Sequence, residues 1–416
     1  MVAIAREADL YDRQKNVTIN RFVQTLFTGS GAPVENFVAS NNKKASNFFN
    51  ILNTQRNSYL LGNGITLNGF EKEKLGPRFD NDLFEAGYYA LIHGVSFCFW
   101  NIDRMHVFRL TEFVPLWDEE TGELRAGVRY WCLSRGHKRV MAVLYAEDGV
   151  TRYASKGNAA TDFVLRGAPR EPYRLTTSRA PADARGTLVA GENYGVLPIV
   201  PMYGSRLHQS TLVGMKEAID SYDLIANGWC NDVRDCAQVY WLLENYGGMS
   251  EADIERFRDR MLTMHIAAAD TSGGGKVTPY AQEIPYESRD ALLTRLREDI
   301  YRDFGGLDTQ ALAASSLTAT AIRAAYEGLS QKADDFEMQV IACVQGILKL
   351  IGIEDTPVFK RSMVANELEQ AQMVMLEAQV LDERTLLSKL PNITDDEVEG
   401  ILRRRREERD CKSATV

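Results

Sequence analysis

Two short stretches contain residue types that could bind a nucleotide. Residues Asp303–Gly305 spell DFG, a metal-binding motif of protein kinases, and residues 273–276 spell GGGK, which is similar to a P-loop. A kinase also needs a glycine-rich loop and an HRD catalytic loop upstream, and the sequence contains no HRD. A P-loop needs glycine and Ser/Thr where this sequence has Asp270 and Val277. We therefore expect no nucleotide site and no cofactor.

The histidines and cysteines do not have the spacing of a catalytic or metal site. The five histidines form no HExxH motif, the six cysteines form no CxxC, and GxSxG is absent. The scattered cysteines indicate reduced thiols in a cytosol-like compartment. We expect no catalytic and no metal-binding residues, so the chain is predicted not to be an enzyme.

Composition is that of a folded protein with an acidic surface. The 416 residues are 45% hydrophobic and 25% charged, with a net charge of −9. Bulk charge therefore does not attract nucleic acid. No window approaches 18 uninterrupted apolar residues, so no membrane span is expected. The first residues are too charged for a signal peptide, so none is expected.

The first half of the chain predicts helices followed by an antiparallel β meander. Residues 44–67 predict a helix that ends near Gly62 and then a short strand, and Asp80–Ile92 predict a second helix. Segments rich in Val, Phe, Tyr and Trp then alternate with turn signals. The predicted strands are Val95–Ile102, Met105–Phe113, Arg125–Leu133, Arg139–Tyr145 and Val150–Ala154. Arg166–Glu192 predicts loops. Tyr194–Tyr203 predicts a strand whose two prolines suit only a sheet edge or an entry to the next element.

The second half predicts two long helices with heptad patterns. Apolar residues recur at steps of four and three from Met215 to Leu243 and again over Thr318–Leu350. The other face of the first helix, predicted to end at Tyr246, has a charge of −4. That face carries Lys216, Glu217, Asp220, Asp223, Asp232, Arg234, Asp235 and Glu244.

Shorter elements are predicted around these helices. They are a helix over Ser250–Met264, a hairpin over residues 265–283, a helix over Ser288–Phe304 with Ser288 as N-cap, a strand over Val358–Ser362, helices over Asn366–Gln379 and Asp395–Glu408, and a basic run over Arg403–Arg409.

A pair of glycines separates two of the predicted helices. Gly305 and Gly306 would cost roughly 1–2 kcal/mol inside a helix, so the helix from Ser288 is predicted to end at Gly305. The eleven residues that follow, LDTQALAASSL, carry one charge, Asp308, and no Lys or Arg. They predict either an ordinary mobile loop or a loop that slides past a partner, because a loop that grips phosphate would be basic.

The order of these elements resembles the portal proteins of tailed double-stranded-DNA bacteriophages. The resemblance covers roughly residues 40–405 and rests on soft patterns in a fixed order. The matching segments are NKKASNFFNILNTQRNSYLLGNGITL, EAGYYALIHGVSFCFWNID, FVPLWDEETGELRAGVRYW, YGVLPIVPMYGSRLHQSTLVGMKEAIDSYDLIANGWCNDVRD, TATAIRAAYEGLSQKADDFE and VLDERTLLSKLPNITDDEVE. Two departures, at residues 203–205 and 315–317, concern loop geometry.

The resemblance implies an α+β portal fold with a β-rich wing, a helical stem, a small α/β clip, a long spanning helix and a helical crown. Family members form twelve-subunit rings around a central channel. By position, the segments would be an N-terminal arm with wing helices (1–79), the wing β domain (80–207), stem helix 1 (208–246), the clip (247–287), stem helix 2 (288–304), the tunnel loop (305–317), the long helix (318–350) and the crown (351–416).

The resemblance also implies roles for particular residues. The tunnel loop would face DNA through Gly305, Gly306, Asp308, Thr309, Gln310, Leu312 and Ser315. The acidic face of the stem would line the channel and repel phosphate through Glu217, Asp220, Asp223, Asp232 and Asp235. The clip would meet its partners through Arg256, Arg260 and Lys276. The crown would offer the basic residues Arg403, Arg404, Arg405 and Arg406 to packaged DNA.

The implied function is a dodecameric channel for DNA packaging and ejection at one capsid vertex of the virion. Its implied partners are further copies of the chain, double-stranded DNA, the terminase large subunit, the head–tail adaptor, and the major capsid and scaffold proteins, met in the host cytoplasm during assembly. The residues alone leave three alternatives open: another structural virion protein such as an adaptor or capsid-interior protein, an enzyme with a scattered site such as a phosphotransferase, and a ring channel for something other than DNA.

Overall fold

The computed structural model describes most of the chain. The described residues are 2–23, 25–27, 31–35, 40–67, 72–133, 139–155, 162–179, 187–236, 240–244, 250–253, 255–256, 276–280, 286–309, 319–361, 382–389, 398 and 400–405. The helices are α1 (Val2–Asp12), α2 (Val17–Arg21), α3 (Phe48–Leu61), α4 (Phe79–His93), α5 (Lys216–Cys236), α6 (Tyr286–Phe304), α7 (Ala319–Ile351) and α8 (Glu383–Lys389), with a 3₁₀ turn at Lys72–Leu75.

Most of the described strands lie between residues 95 and 203. They are β1 (Thr25–Phe27), β2 (Pro33–Glu35), β3 (Ile65–Leu67), β4 (Val95–Asn101), β5 (Arg104–Arg109), β6 (Phe113–Trp117), β7 (Leu124–Leu133), β8 (Arg139–Ala146), β9 (Gly149–Ser155), β10 (Phe163–Leu165), β11 (Arg174–Arg179), β12 (Thr187–Glu192), β13 (Ile199–Tyr203), β14 (Tyr240–Glu244), β15 (Lys276–Tyr280) and β16 (Pro357–Phe359).

The chain divides into two compact units. The first contains Met1–Ala5, Leu52–Thr211 and Gly305–Val416, and the second contains Arg6–Ile51 and Leu212–Phe304. The second unit thus joins an N-terminal segment to the segment that holds α5 and α6. The mixture of helix and sheet agrees with the α+β prediction, whereas the eight-segment portal division stays a prediction.

The first unit contains the predicted antiparallel meander. Strands β6 to β10 follow one another in a five-stranded sheet, and β13, β4 and β5 form a second sheet with β13 at its edge. The predicted strand over Met105–Phe113 is confirmed as β5, but its end is wrong, because β5 ends at Arg109 and β6 begins at Phe113 in the other sheet. The loop prediction for 166–192 is also wrong, because β11 and β12 form a hairpin there.

The long helix α7 supplies the core of the first unit. Its heptad positions from Tyr326 to Ile347 are buried, and the helix packs against β13 and β4. Phe336 and Val340 lie with Leu83 and Trp100 in one apolar cluster. The heptad prediction is therefore confirmed as a core-facing stripe from Tyr326 to Ile347.

The second unit pairs α5 with α6 and β14 with β15. The prediction that the first long helix continues to Tyr246 is wrong, because α5 ends at Cys236 and Tyr240–Glu244 is a strand. The hairpin predicted over residues 265–283 is wrong for its described part, because β15 pairs with β14. Helix α6 begins at Tyr286, so Ser288 lies inside its first turn and is not the N-cap.

Candidate functional site

Helix α5 buries a polar face in addition to the start of its heptad stripe. Asp220, Asp223, Asn227 and Asn231 recur at steps of three and four, so they share one face of the helix, and each is less than 9% exposed. In contrast, Val233 of the heptad stripe is 53% exposed. The heptad stripe is thus buried at its start, at Met215 and Ile219, and exposed at Val233.

The Asp220 carboxylate is held by the first two helices of the chain. The Tyr11 hydroxyl donates to Oδ1 at 2.5 Å, and the Thr18 hydroxyl donates to Oδ2 at 2.6 Å. The Lys216 Nζ, one helical turn away, donates to Oδ2 at 2.6 Å and forms an ion pair there. A buried carboxylate with three donors is stabilised because its lone pairs are satisfied.

The other three residues of this face bind an extended segment of the N-terminal region. Asp223 Oδ1 accepts from the Ser46 N–H at 2.9 Å. Asn227 binds both backbone groups of Lys44: its Oδ1 accepts from the N–H at 2.8 Å and its Nδ2 donates to the carbonyl at 2.7 Å. Asn231 Oδ1 accepts from the Asn42 N–H at 2.7 Å.

The spacing of residues in the two segments explains why these side chains and backbone groups match in order. Four residues of an α-helix rise about 6 Å, and two residues of an extended chain span about 6.6 Å. Side chains at 223, 227 and 231 therefore face the backbone of residues 46, 44 and 42 in turn. We call residues 223, 227 and 231 the ladder and residues 42–46 the extended segment.

Burial and hydrogen bonding shift the pKa values of Asp220 and Asp223 in opposite directions. For Asp220, burial favours the neutral acid, but three hydrogen bonds to its carboxylate outweigh burial and hold its pKa below the ordinary value. For Asp223, burial dominates and raises the pKa. Burial and the bond to Asp220 raise the pKa of Tyr11 to about 12, so its hydroxyl remains a donor at neutral pH.

These contacts bury two acids of the acidic face predicted for the first long helix. Asp220 and Asp223 are buried against the N-terminal segment of the same chain because their oxygens accept its hydrogen bonds. Glu217 is exposed, and Asp232 forms an ion pair with Arg289 of α6. The side chain of Asp235 lies outside the described residues. The role of these carboxylates in lining a channel stays a prediction.

The segment after α6 begins as predicted. Helix α6 ends at Phe304, and Gly305 has the left-handed φ of +71° that suits a glycine just past a helix end. A Cβ on Gly305 would lie 2.8 Å from the Gly328 carbonyl oxygen of α7, so the backbones are in close contact.

The next residues are fixed by Gln55. Its Oε1 accepts from the Leu307 N–H at 2.7 Å and its Nε2 donates to the Leu307 carbonyl at 2.9 Å. Leu307 is buried, so residues 305–307 are anchored to their own chain and the predicted mobility does not extend to them. Gly306 and Asp308 are half-buried and Thr309 is exposed. Gln310, Leu312 and Ser315 lie outside the described residues.

The predicted basic residues lie in separate parts of the chain. Arg256 is exposed and pairs with Asp253 at 3.6 Å, and Lys276 is in β15. Arg403, Arg404 and Arg405 are exposed on a helical stretch, where Arg405 pairs with Glu383 of α8. Arg260, Arg406 and the side chain of Lys276 lie outside what the structure describes. The partner roles of these basic residues therefore stay predictions.

Two features are absent from the described part of the chain. No group of His, Cys, Asp and Glu there could hold a metal ion. No helix there is long and apolar enough to cross a membrane.

The ladder was not anticipated from the sequence. A signal was present, because an aspartate and two asparagines recur every four residues at 223, 227 and 231. The charge pattern of the helix does not include Asn227 and Asn231, since asparagine carries no charge. Buried asparagine at helical spacing predicts a polar contact, because an amide removed from water needs hydrogen-bond partners.

Comparisons with known proteins agree on one family. A family model described as "Phage portal protein, SPP1 Gp6-like" matches residues 9–410. The portal protein of Clostridium phage phiCD119 is 24% identical over 212 residues, which cover 49% of this chain and 47% of that protein. The chain thus aligns with about half the length of that relative.

A second relative and one solved structure align over more of the chain. The portal protein of Bacillus phage SPP1 is 21% identical over 409 residues, covering 90% of this chain and 78% of that protein. The structure titled "Neck of native GTA particle computed with C12 symmetry" is 14% identical, with a TM-score of 0.45, and covers 82% of this chain and 88% of that chain.

Proposed function

We propose, because the chain belongs to the SPP1 Gp6-like family of phage portal proteins, that it assembles into a ring of about twelve copies at one vertex of a phage capsid. DNA would enter and leave the capsid through the axial channel of this ring. The chain would thus be a structural part of the virion, assembled in the host cytoplasm. ATP hydrolysis would belong to a separate terminase.

One observation carries this proposal. The family model matches residues 9–410, which is nearly the whole chain and includes both compact units. A match confined to one unit would leave the other free for a different role. The SPP1 portal protein also aligns over 90% of this chain, so the same extent is supported by an individual relative.

The stem would contribute a channel wall that does not hold DNA. Phosphate is bound by Lys and Arg and repelled by carboxylates. Because Asp220 and Asp223 are buried by the N-terminal segment, the proposed wall acids reduce to Glu217, Asp232 and Asp235. Of these, Glu217 is exposed, and Asp232 forms an ion pair with Arg289 of α6.

The segment after α6 would approach the duplex from Asp308 onward. Residues 305–307 are anchored by Gly328 and Gln55, so the DNA-facing part would begin beyond them. Asp308→Lys would place a ring of positive charge at this point and should slow packaging in an in vitro assay. Glu119→Lys, an equal change of charge in an exposed turn of the wing, should package at the wild-type rate. Equal rates for both variants would argue against a DNA-facing role.

The remaining partners follow from position in the family. The clip residues Arg256, Arg260 and Lys276 would meet the terminase large subunit and later the head–tail adaptor. The basic run Arg403–Arg406 would face packaged DNA in the crown. The wing would face the major capsid and scaffold proteins.

Ring assembly is the direct test of this proposal. Native mass spectrometry with negative-stain imaging, with and without the scaffold protein of the same phage, should give a closed ring of about twelve or thirteen copies with an axial hole. A chain that remains monomeric under both conditions and binds nucleotide would contradict the proposal and favour an enzyme.

A further inference from the structure

The five-stranded sheet has one face in the core of the first unit. Phe113 of β6, Val143 and Tyr145 of β8, and Val150 of β9 are all buried in one apolar cluster. Residues directly opposite in antiparallel strands point to the same side of a sheet, and neighbours along a strand point to opposite sides. The alternate positions of these strands therefore form the second face, which we call the outer face.

The pairing register places uncharged side chains at the strand positions of the outer face, and Arg170, from the segment after β10, hydrogen-bonds Thr151 at its margin at 3.3 Å. Four rows cross the sheet, at positions 114/128/144/151, 116/126/146/149, 130/142/153/165 and 132/140/155/163. None of these positions holds Asp, Glu, Lys or Arg. An antiparallel sheet with one solvated face normally alternates apolar and polar residues, so this composition is unusual for a surface in water.

Large apolar side chains of the outer face are accessible. Val114 and Leu116 of β6 and Phe163 and Leu165 of β10 are all exposed, so both margins of the face are open to a partner. Five strands about 4.8 Å apart and four rows about 6.6 Å apart give roughly 500 Å². Such an area is at the upper end for a patch on a monomer and more than half of what one partner buries in a standard interface.

We propose that the outer face binds an adjacent copy of the same chain, and this inference rests on the ring of the proposed function. A ring is built from heterologous contacts, in which one face of each copy meets a different face of the next. An uncharged face of this size suits a protein surface because desolvating it costs little. It does not suit DNA, since none of its strand positions holds a basic residue and the neighbouring Arg170 is paired with Asp148.

The contact is made by the face and not by adding a strand. The Tyr130 N–H donates to the Glu112 carbonyl, so the backbone of every second residue from 112 points toward β7. Position 115 therefore directs its backbone away from β7, and that residue is Pro115, which has no N–H to donate. A proline facing outward on an edge strand disfavours pairing with another chain.

A matched pair of substitutions tests the inference. Val114→Lys places a charge on the outer face, and Val358→Lys places the same charge on β16 elsewhere in the first unit. Both valines lie on strands and are 48% exposed, so both variants should fold. Mass photometry at one protein concentration should show at least a tenfold smaller fraction of rings for Val114→Lys and an unchanged fraction for Val358→Lys. Equal ring fractions for both variants would overturn the inference.

A native thiol gives a second test that needs no substitution in the ring. Cys132 lies on the outer face and is exposed in the single chain. Maleimide labelling followed by site-resolved mass spectrometry should be at least tenfold slower at Cys132 in rings than in unassembled chain. Equal labelling rates would overturn the inference even if Val114→Lys failed to fold. Absence of rings from the wild-type chain would instead remove the proposed function itself.

Discussion

Replacing Asn227 with alanine should release the extended segment from helix α5. The Asn227 side chain makes two hydrogen bonds to the backbone of Lys44 and one to the carbonyl of Asp223, at 2.7 to 2.8 Å. Each bond contributes about 1 kcal/mol net, and more when a buried partner is left unsatisfied. We therefore expect a loss of about 2–3 kcal/mol in the free energy that holds residues 42–46 on the helix.

Hydrogen exchange measures this effect at the segment itself. The N–H groups of Asn42, Lys44 and Ser46 are donors to the ladder, so they should exchange slowly in the wild-type chain. A loss of about 2 kcal/mol corresponds to roughly 30-fold faster exchange. Mass spectrometry of a peptide covering residues 40–47 should show this acceleration in Asn227→Ala.

An exposed acid on the same helix provides the control. Glu217→Ala alters α5 at a position that has no contact with the extended segment in the described structure, so its effect should stay within about 0.5 kcal/mol. Wild-type exchange rates in Asn227→Ala would refute the ladder. Equal acceleration in both variants would show that α5 itself had been destabilised.

Three further predictions concern stability. The pKa of Asp220 is lowered in the folded chain, so its ionised form stabilises the fold above the ordinary pKa of 3.8. This contribution is lost as the pH falls through the folded pKa. Chemical denaturation should therefore show Asp220→Asn less stable than the wild type at pH 7, with the difference shrinking below about pH 4. Gly305→Ala should cost about 1–2 kcal/mol more than Gly122→Ala in thermal melts, because both have a φ near +70° but only Gly305 lies against another backbone; equal costs would refute the close contact. Phe336→Ala should cost about 3–5 kcal/mol by urea denaturation and Met338→Ala under about 0.5, since they are 0% and 69% exposed on the same helix; similar losses would contradict the orientation of α7.

The sequence predicted the elements whose pattern follows from their own burial. Helix α7 buries its heptad positions in the first unit, so the period of its apolar residues correctly predicted its buried face. The β meander was recognisable because turn residues separate its strands. Gly305 was placed correctly because a glycine pair is costly inside a helix.

The errors have a common physical origin in strand pairing, which local composition does not determine. The heptad pattern of α5 continues into Tyr240–Glu244, which forms a strand because it pairs with Lys276–Tyr280. The residues of β11 and β12 were assigned to loops because their composition favours loops, yet they pair with each other. Local propensity cannot report a pairing that is made across many residues.

Only part of the candidate site was predicted, because the contacts that complete it come from distant residues. The acids of α5 were identified from charge, but the partners that bury Asp220 and Asp223 lie about two hundred residues earlier in the chain. Gln55, which anchors Leu307, is equally remote. The family resemblance supplied an expected role for each segment, whereas the side chains that fix the segments became visible only in three dimensions.

An electron cryomicroscopy reconstruction of the assembled chain, calculated without imposed symmetry, tests the central claim most directly. A portal should give a closed ring of about twelve copies around an open axial channel that admits a DNA duplex. An open filament, or a closed particle without an axial channel, would contradict the account.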